Sequence, residues 1–354
     1  MAGTFRVVDT GLLTGRENIA LDHALLEARV AGEIGDTIRF IAFKPCALVG
    51  RHQDLAQELN LDACKDRGVQ TVRRITGGGA LYMDESQLGW ALVCDRRSLG
   101  KATLSEITEA ICTAAAAGLS KLGVDARFRP RNDIEIDGRK VSGTGGFFDG
   151  NVLMFQGTVI LDLDPARMAA VLNVPQAKLE KRQLEGVAAR VTSLRAELGK
   201  MPSPDAVKAA LLEGFREVLG IDTVPDALSA AEQARADEAY NEEIGTEEFV
   251  AEICDPAREA GVLVGQNKAR NLTAYLRVEG PQDRRVREVL FVGDVFVTPP
   301  RALLDLEGHL RGVQLAEIEE KTEQFFADSG AALLGVTSAD FSAALLNAAA
   351  QPAL

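Results

Sequence analysis

Three consecutive glycines lie between two apolar segments in residues 69–93, and they restrict this part of the chain to a strand, a turn and a second strand. Gly77, Gly78 and Gly79 can adopt positive φ angles, and their bare N–H groups can surround an anion such as a phosphate. Arg74 precedes the turn, and its guanidinium can bind the same anion through two donors. A flexible hairpin turn would explain the glycines as well, so the motif alone leaves both interpretations open.

Helix and strand patterns alternate along the rest of the chain. A helix is predicted over residues 18–30, and Thr103 and Glu106 form a capping-box pattern that predicts the start of another. Residues 38–50 are rich in β-branched and aromatic side chains, which predicts two strands or one bent strand. Residues 88–94 are apolar enough for a strand that is buried on both faces. The mixture predicts an α+β fold.

Length and charge distribution predict two domains. A chain of 354 residues exceeds the size of roughly 250 to 300 residues at which single cores usually stop growing. Residues 222–260 contain 12 acidic and 2 basic side chains, and we expect the boundary there. The predicted parts are a large domain over 1–245, an acidic linker over 246–260 and a small α+β accessory domain over 261–354. Because like charges repel, we expect the acidic region to be extended and to act as a hinge.

Two regions have simpler predictions. Residues 165–220 are predicted to be helical, with an interruption at residues 201–204 because two prolines lie there. In the accessory domain, two strands joined by a turn at residues 280–283 precede the final helices.

Composition excludes several classes of function. The net charge is -13, and no run of Lys and Arg with interleaved aromatics is present, so we expect no nucleic-acid partner. The N-terminus lacks a basic segment followed by an apolar one, and no run of 18 apolar residues occurs, so we expect a cytoplasmic protein without membrane contact. The five cysteines are scattered and form no CxxC pair, which predicts reduced, mostly buried thiols.

Two more polar motifs interrupt predicted strands. Asn132 and Asp133 begin one segment, and Lys140 follows at the start of the next strand, where its ammonium could stabilise charge on a carboxylate or an α-phosphate. A hairpin with solvated cations would explain the same residues. Gln156 and Thr158 lie within an apolar strand, which favours a hydroxyl that faces a ligand, although an edge-strand bulge would also account for them.

Taken together, these motifs resemble the biotin/lipoate protein ligase superfamily, in particular its lipoate-protein ligase A branch. The family pattern is an RR(x)(S/T)GGGA(V/L) loop, an N-D-(I/L) strand, a G-x-K-(I/V)-(S/A)-G motif and a G-T strand. This chain has RRITGGGAL, NDI, GRKVSG and QGT in that order, and the likeness covers residues 5–245. The resemblance implies a mixed central β-sheet flanked by helices, similar to class II synthetases, with a small C-terminal α+β accessory domain.

The resemblance also implies roles for individual residues. Lys140 would hold the acyl carboxyl and the α-phosphate, Asp133 would lie near the adenine and magnesium, and Phe43 would line the slot for the acyl chain. The residues that would border the adenylate and the lipoyl tail are Arg74, Thr76, Gly77, Gly78, Gly79, Ala80 and Leu81. The other implied substrate- or ATP-binding positions are Asn132, Ser142, Gly143, Gly157 and Thr158.

Two positions depart from the family pattern. Met83 and Gln156 stand where the family often has histidine. Both are expected on the pocket wall, where they would tune the choice of acyl chain or acceptor and leave the charged residues intact.

The implied activity is that of an ATP-dependent, AMP-forming lipoate-protein ligase. It would use ATP and Mg²⁺ to convert lipoate or octanoate to the acyl-adenylate and would pass the acyl group to a lysine of a lipoyl-accepting protein. That acceptor would be an E2 lipoyl domain, the glycine-cleavage H protein or a dedicated lipoate-binding protein of sulfur oxidation, and the enzyme would be a monomer.

Three other functions remain open. A lipoyl or octanoyl transferase would need an activated cysteine, and no cysteine lies between Cys112 and Cys254, where the lysine and G-T motifs occur. The second is a biotin ligase, and the third is a non-catalytic lipoyl-binding homologue.

Overall fold

The computed structural model describes residues 3–101, 103–173, 190–258, 260–280 and 284–351. These residues form two compact units. Unit 1 comprises residues 1–48, 59–73 and 81–250, and unit 2 comprises residues 49–58, 74–80 and 251–354. Among the helices of the described ranges, none combines the length and apolar character needed to cross a membrane.

The strands follow one another along both units. They are β1 Thr4–Leu13, β2 Thr37–Phe43, β3 Cys46–Val49, β4 Gln70–Arg73, β5 Leu81–Met83, β6 Gln87–Asp95, β7 Ala126–Arg129, β8 Asp133–Ile136, β9 Arg139–Asp149, β10 Val152–Ile160, β11 Asp222–Asp226, β12 Leu263–Asn267, β13 Leu272–Glu279, β14 Arg285–Gly293, β15 Phe296–Thr298 and β16 Ala332–Leu334.

The helices alternate with these strands. They are α1 Gly15–Val30, α2 Leu55–Glu58, α3 Leu61–Asp66, α4 Leu104–Ser120, α5 Pro165–Val171, α6 Leu194–Leu198, α7 Pro204–Leu219, α8 Ala230–Ala239, α9 Glu247–Ala251, α10 Ala302–Leu310, α11 Ile318–Asp328 and α12 Ser338–Ala349. The predicted helical region over 165–220 contains α5, α6 and α7, and its residues 174–189 lie outside the described residues.

Unit 1 is built on a mixed eight-stranded sheet in the order β11-β1-β2-β6-β10-β9-β8-β7. Strand β1 pairs in parallel with β2 and β11, and β6, β10, β9, β8 and β7 follow as antiparallel neighbours. Eight of the nine positions of β6 are buried, so the predicted two-faced burial of residues 88–94 is confirmed. The α+β prediction with a mixed central sheet is confirmed.

Helices α4 and α7 pack against one face of this sheet, where Trp90 contacts Phe155 and Phe215 at ring-centroid distances of 6.0 and 5.4 Å. The two helices can approach closely because Gly118 has no side chain. A Cβ at this position would lie 2.3 Å from the carbonyl oxygen of Ala210. Helix α4 begins with the predicted capping box. Helix α1 begins at Gly15, three residues earlier than predicted, because Thr14 caps it.

The acidic region is helical, and the prediction of an extended linker is wrong for residues 230–251. Ser229 and Glu232 form a capping box at the start of α8, and Glu232 also pairs with Arg6. Ala236 is buried against Leu21 of α1. Helix capping and the burial of one apolar face therefore outweigh the repulsion between like charges.

Unit 2 contains the antiparallel sheet β12-β13-β14 and the helices α10, α11 and α12. Its core includes Phe291 and Phe341, whose rings meet edge to face at 5.2 Å, and the buried side chains of Leu306 and Leu345. Both predicted strands are present as β13 and β14. Residues 281–283 of the predicted turn lie outside the described residues.

Candidate active site

Lys140 reaches the sheet face that carries Asp133 because β9 contains a bulge. Ser142 pairs with Ile134, but Lys140 pairs with Glu135, so one extra residue is accommodated in β9 between these pairs. Side chains alternate between faces along a strand, and the extra residue moves Lys140 to the face of Asp133 and Gly143. Residues 190–192 hold the bulge in place. The N–H of Lys140 donates a hydrogen bond to the carbonyl of Arg190 at 2.8 Å, and the carbonyl of Lys140 accepts one from Thr192 at 2.9 Å.

The ammonium of Lys140 forms an ion pair with Asp133, at 2.7 Å between Nζ and Oδ1. The second carboxylate oxygen of Asp133 accepts a hydrogen bond of 2.7 Å from Arg129. Lys140 and Asp133 are 32% and 20% exposed, so both can reach a ligand in solvent. Gly143 makes room for the pair because a Cβ at this position would lie 2.7 Å from Nζ of Lys140.

A row of small residues leads from this ion pair across the sheet. Asp133 pairs with Gly143, the hydroxyl of Thr158 donates to the carbonyl of Gly143 at 3.4 Å, and Thr158 pairs with Gly89. Gly89 pairs in turn with Ile41 of β2, and directly paired residues share one face. One end of this row is therefore the apolar strand β2, and the other end is the cation of Lys140. This arrangement suits an acid with a long apolar chain.

Phe43 lies at the apolar end of the row. A Cβ at Gly89 would lie 3.0 Å from the ring of Phe43, so the missing side chain leaves space for the aromatic ring. Phe43 is 5% exposed. The structure thus brings Phe43, Thr158, Gly143, Asp133 and Lys140 onto one face of unit 1.

Three predicted site residues of unit 1 serve the fold instead. The amide of Asn132 donates to the backbone of Thr144 and ties β8 to β9. Ser142 is fully buried on the face opposite Lys140, and its hydroxyl has no hydrogen-bond partner among the described residues. A Cβ at Gly157 would lie 2.1 Å from the ring of Trp90, so packing in the core accounts for this glycine.

Gln156 and Met83 also have structural contacts. The amide of Gln156 donates to Asp22, and Asp22 is fully buried with Arg39, at 2.6 Å between carboxylate and guanidinium. Burial raises the pKa of Asp22, and the charge of Arg39 opposes that shift. Met83 is 3% exposed and pairs with Cys46 in the small sheet β4-β3-β5, so it lies in a packed interior.

The glycine loop belongs to unit 2, and Arg74 organises it. The guanidinium donates to the carbonyl oxygens of Gly77 and Gly79 at 3.1 and 2.9 Å. Burial lowers the pKa of Arg74 to about 10, while the charge of Asp294 acts in the opposite direction. In this structure Arg74 therefore binds its own loop.

Residues 294–296 lie directly against the loop glycines. A Cβ at Gly77 would lie 2.1 Å from the carbonyl oxygen of Val295, and one at Gly78, where φ is +98°, would lie 2.8 Å from the ring of Phe296. The carboxylate of Asp294 faces Gly79, and its nearer oxygen would lie 3.2 Å from a Cβ at that glycine. Gly77 is required by the close approach of backbone and Gly78 by its positive φ, whereas a side chain at Gly79 would meet only the movable carboxylate of Asp294.

The other predicted loop residues divide between the two units. Thr76 is buried in unit 2, where its carbonyl accepts from the backbone of Arg51 at 2.9 Å, and Ala80 ends the same segment. Leu81 begins β5 in unit 1 and pairs with Leu48.

All five cysteines are free, and all lie in described residues. Cys46, Cys64, Cys94 and Cys112 of unit 1 are buried, and burial raises the pKa of each thiol, to about 12 for Cys112. Cys112 contacts Thr144 at 3.3 Å on the side of the sheet opposite the row. Cys254 is exposed in unit 2. The prediction of reduced, mostly buried thiols agrees with this arrangement.

The predicted magnesium ligand does not fit a metal ion held by the protein. Both carboxylate oxygens of Asp133 already face cations, Lys140 and Arg129. Across the part of the chain that the structure describes, no three His, Cys, Asp or Glu side chains form a metal-binding group. Magnesium needs several oxygen ligands, so we derive no step from an ion bound to Asp133.

The model of the lipoyl protein ligase A/B catalytic domain family matches residues 14–216. The chain belongs to this family. It is an enzyme of the lipoate ligase and octanoyltransferase superfamily, and the resemblance predicted from its motifs is confirmed.

Relatives named as octanoyltransferases and relatives named as lipoate-protein ligases are both similar to this chain. Octanoyltransferase LipM of Kyrpidia tusciae is 30% identical over 258 residues, which cover 66% of this chain and 94% of the relative. Probable lipoate-protein ligase A of Mycoplasma pneumoniae is 29% identical over 220 residues, which cover 61% of this chain and 64% of that protein.

Solved structures of the family share the fold. The bi-partite lipoate protein ligase of Thermoplasma acidophilum has a TM-score of 0.62 and 26% identity, and the match covers 71% of this chain and 97% of that one. Plasmodium falciparum LipL1, solved in complex with lipoate, has a TM-score of 0.69 and 17% identity over 92% of this chain and 94% of its own. The second likeness is one of fold alone.

Sequence reasoning missed Arg129 and Asp294. Arg129 lies three residues before Asn132 and four before Asp133, and a cation so close to a carboxylate was the available signal. Asp294 follows Gly293 at the end of β14, and nothing in the local pattern relates it to a loop more than two hundred residues earlier.

Proposed function

We propose that this enzyme is a lipoate-protein ligase, which activates lipoate or octanoate with ATP and transfers the acyl group to a lysine of an acceptor protein. The observation that carries the proposal is the contrast between lysine and thiols in unit 1. Lys140 is partly exposed beside the row of small residues, and the four cysteines of this unit are buried with raised pKa values. A cation suits adenylate chemistry, and a buried neutral thiol is a poor nucleophile.

The proposed reaction has two steps. A carboxylate oxygen of the acid attacks the α-phosphorus of ATP, a new P–O bond forms, and pyrophosphate leaves. The ε-amine of the acceptor lysine then attacks the acyl carbon, loses a proton, and expels AMP. Magnesium enters with the triphosphate as part of the substrate.

Lys140 acts on the charge that develops in both steps. Its ammonium lies on the same sheet face as the row that receives the acyl chain, and it neutralises the acyl carboxylate and the α-phosphate oxygens. The predicted roles of Arg74 and the loop glycines belong to this proposal. To bind phosphate, Arg74 has to share or release the carbonyls of Gly77 and Gly79.

The extent of the similarities also supports a ligase. The match to octanoyltransferase LipM covers 66% of this chain, and the fold match to LipL1 covers 92%. A fold match of this extent supports our proposal of an accessory domain over 261–354, with its boundary at 246–260. We propose that this part moves between the two half-reactions.

An octanoyltransferase is the second candidate, because LipM is 30% identical to this chain. Its route would require a cysteine thioester, and the exposed thiol of this chain is Cys254 in unit 2. A biotin ligase and a non-catalytic homologue predict different substrates or no turnover.

We propose an E2 lipoyl domain as the acceptor, since the lipoylation system of Thermoplasma acidophilum consists of a bi-partite ligase and its E2 lipoyl domain. The glycine-cleavage H protein and a lipoate-binding protein of sulfur oxidation are the other acceptors to compare. The proposed enzyme is a cytoplasmic monomer.

Mass spectrometry tests the proposal directly. The enzyme is incubated with ATP, Mg²⁺ and lipoate, octanoate or biotin, and the products are analysed before and after an apo-lipoyl domain is added. The ligase predicts acyl-AMP with lipoate or octanoate, followed by AMP and an acylated acceptor. An acylated Cys254 formed from an octanoyl thioester without ATP would support the transferase, and biotinyl-AMP would support a biotin ligase.

A further inference from the structure

Arg129 holds the carboxylate that pairs with the candidate catalytic lysine. One guanidinium nitrogen donates to Oδ2 of Asp133 at 2.7 Å. The other donates to Glu135 at 3.2 Å and to the carbonyl oxygen of Gly138 at 3.4 Å. Arg129 thus spans the two acidic side chains of β8 and the turn before β9.

Strand pairing places these charges on one face. Arg129 pairs with Asp133, and Arg127 pairs with Glu135, so both arginines share the face of the two carboxylates. Their partners differ, because Arg127 binds Asp125 at 2.7 and 3.0 Å. Arg127 is therefore a natural control on the same strand.

The cluster around Lys140 is electrically balanced. Arg129 and Lys140 carry positive charge, and Asp133 and Glu135 carry negative charge. Without Arg129, Asp133 would keep Lys140 as its ion-pair partner, and the net charge of these four side chains would fall by one unit, from balanced to negative. Lys140 would then be drawn to the carboxylates, and anionic substrates would be repelled.

We propose that Arg129 is a positioning residue for adenylate formation, which holds Asp133 and Glu135 so that the ammonium of Lys140 stays available to the substrate. This inference rests on the proposed ligase function. Arg129 acts through Asp133, and it contributes geometry and charge balance, not a proton.

Steady-state pyrophosphate exchange with lipoate measures kcat and the KM for ATP in wild type, Arg129→Gln, Arg129→Lys and the control Arg127→Gln. We expect Arg129→Gln to lower kcat about tenfold and to raise the KM for ATP several-fold, within the range of couplings measured in charged networks. Arg129→Lys keeps the positive charge, so its KM for ATP should lie close to the wild-type value. Arg127→Gln should match wild type.

The double variant Arg129→Gln/Glu135→Gln distinguishes positioning from folding. It restores the charge balance, so it should recover part of the activity that Arg129→Gln loses, whereas a loss of fold would not be rescued. If Arg129→Gln stays within twofold of wild type in both constants, or if the double variant is no better, the inference is overturned.

Lysine labelling tests the inference without turnover. Acetic anhydride is reacted with each folded variant, and acetylation of Lys140 is compared with that of Lys121, which pairs with Glu217 at 2.8 Å. Arg129→Gln should slow labelling of Lys140 several-fold and leave Lys121 unchanged. Equal rates would contradict the inference. Absence of exchange in wild type would contradict the ligase, and the labelling result would still decide the role of Arg129.

Discussion

Lys140 in unit 1 and Arg74 in unit 2, the two cations that the sequence motifs single out, are held in different ways. Lys140 extends from a strand bulge, is 32% exposed and pairs with a side chain of the neighbouring strand. Arg74 is buried, and it donates to the carbonyls of the loop that follows it. The lysine is arranged to meet a ligand, and the arginine is arranged to shape a loop.

The glycines of the two regions differ in the same way. The missing Cβ of Gly143 leaves space for the flexible end of Lys140, at 2.7 Å. The missing Cβ of Gly77 leaves space for the backbone of Val295, at 2.1 Å. A side chain at Gly143 would displace the ammonium of Lys140, whereas one at Gly77 would meet backbone that cannot move cheaply. We therefore expect the first glycine to matter for activity and the second for the fold of unit 2.

Removing the lysine should have the largest effect. Lys140→Ala should lower the rate of acyl-AMP formation on the order of a hundredfold, because one aimed cation at developing charge is worth about 3 to 4 kcal/mol. Quenched-flow detection of acyl-AMP measures this rate. Lys121→Ala, a substitution in an exposed ion pair, is the control, and an unchanged rate in Lys140→Ala would remove the lysine from the mechanism.

The two glycines should separate activity from stability. Gly143→Ala should lower activity roughly tenfold with little change in Tm, because the methyl group displaces Lys140. Gly77→Ala should destabilise unit 2 by about 1 to 3 kcal/mol through overpacking against Val295. Urea denaturation and exchange activity are measured for both variants. Equal losses of stability would contradict the distinction.

Unit 2 should also lose stability as the pH rises. Burial, together with the charges of Asp294 and Asp54, raises the pKa of Glu58 to about 7, and Gln53 opposes the shift. A carboxyl with a raised folded pKa favours folding below its unfolded value near 4.5, and this contribution is lost as the pH rises through about 7.

Glu58→Gln should remove this loss. We expect the variant to gain stability over wild type, on the order of 1 kcal/mol, at about pH 8, with a smaller gain at about pH 5. Denaturant unfolding at the two pH values measures the difference, and Asp62→Asn, at an exposed position of α3, is the control. An equal gain at both values would contradict the assignment.

The smallest effect is expected at Asp294. Its carboxylate lies against Gly79 and acts on the charge of Arg74. If the loop binds ATP, as we propose, Asp294→Asn should lower the KM for ATP about threefold, since one repulsive charge is removed near the triphosphate. Initial rates over a range of ATP concentrations measure the change. A higher KM would indicate that Asp294 supports nucleotide binding.

The sequence alone predicted the elements whose cause is local. The Thr103 capping box, the buried β6 and the motifs around Gly77, Lys140 and Thr158 follow from nearby residues. The bulge that directs Lys140 depends on the register between two strands, and the contacts of Gly77 depend on Val295. The family resemblance implies that Ser142 and Gly157 belong to the site, and strand alternation turns both away from the face of Lys140.

The most direct test of the account is ATP–pyrophosphate exchange in the Cys254→Ser variant, with wild type and Lys140→Ala alongside. We predict that exchange requires lipoate or octanoate, continues at the wild-type rate without the exposed thiol, and falls on the order of a hundredfold without the lysine. No exchange in wild type, together with ATP-independent acyl transfer that disappears in Cys254→Ser, would contradict it.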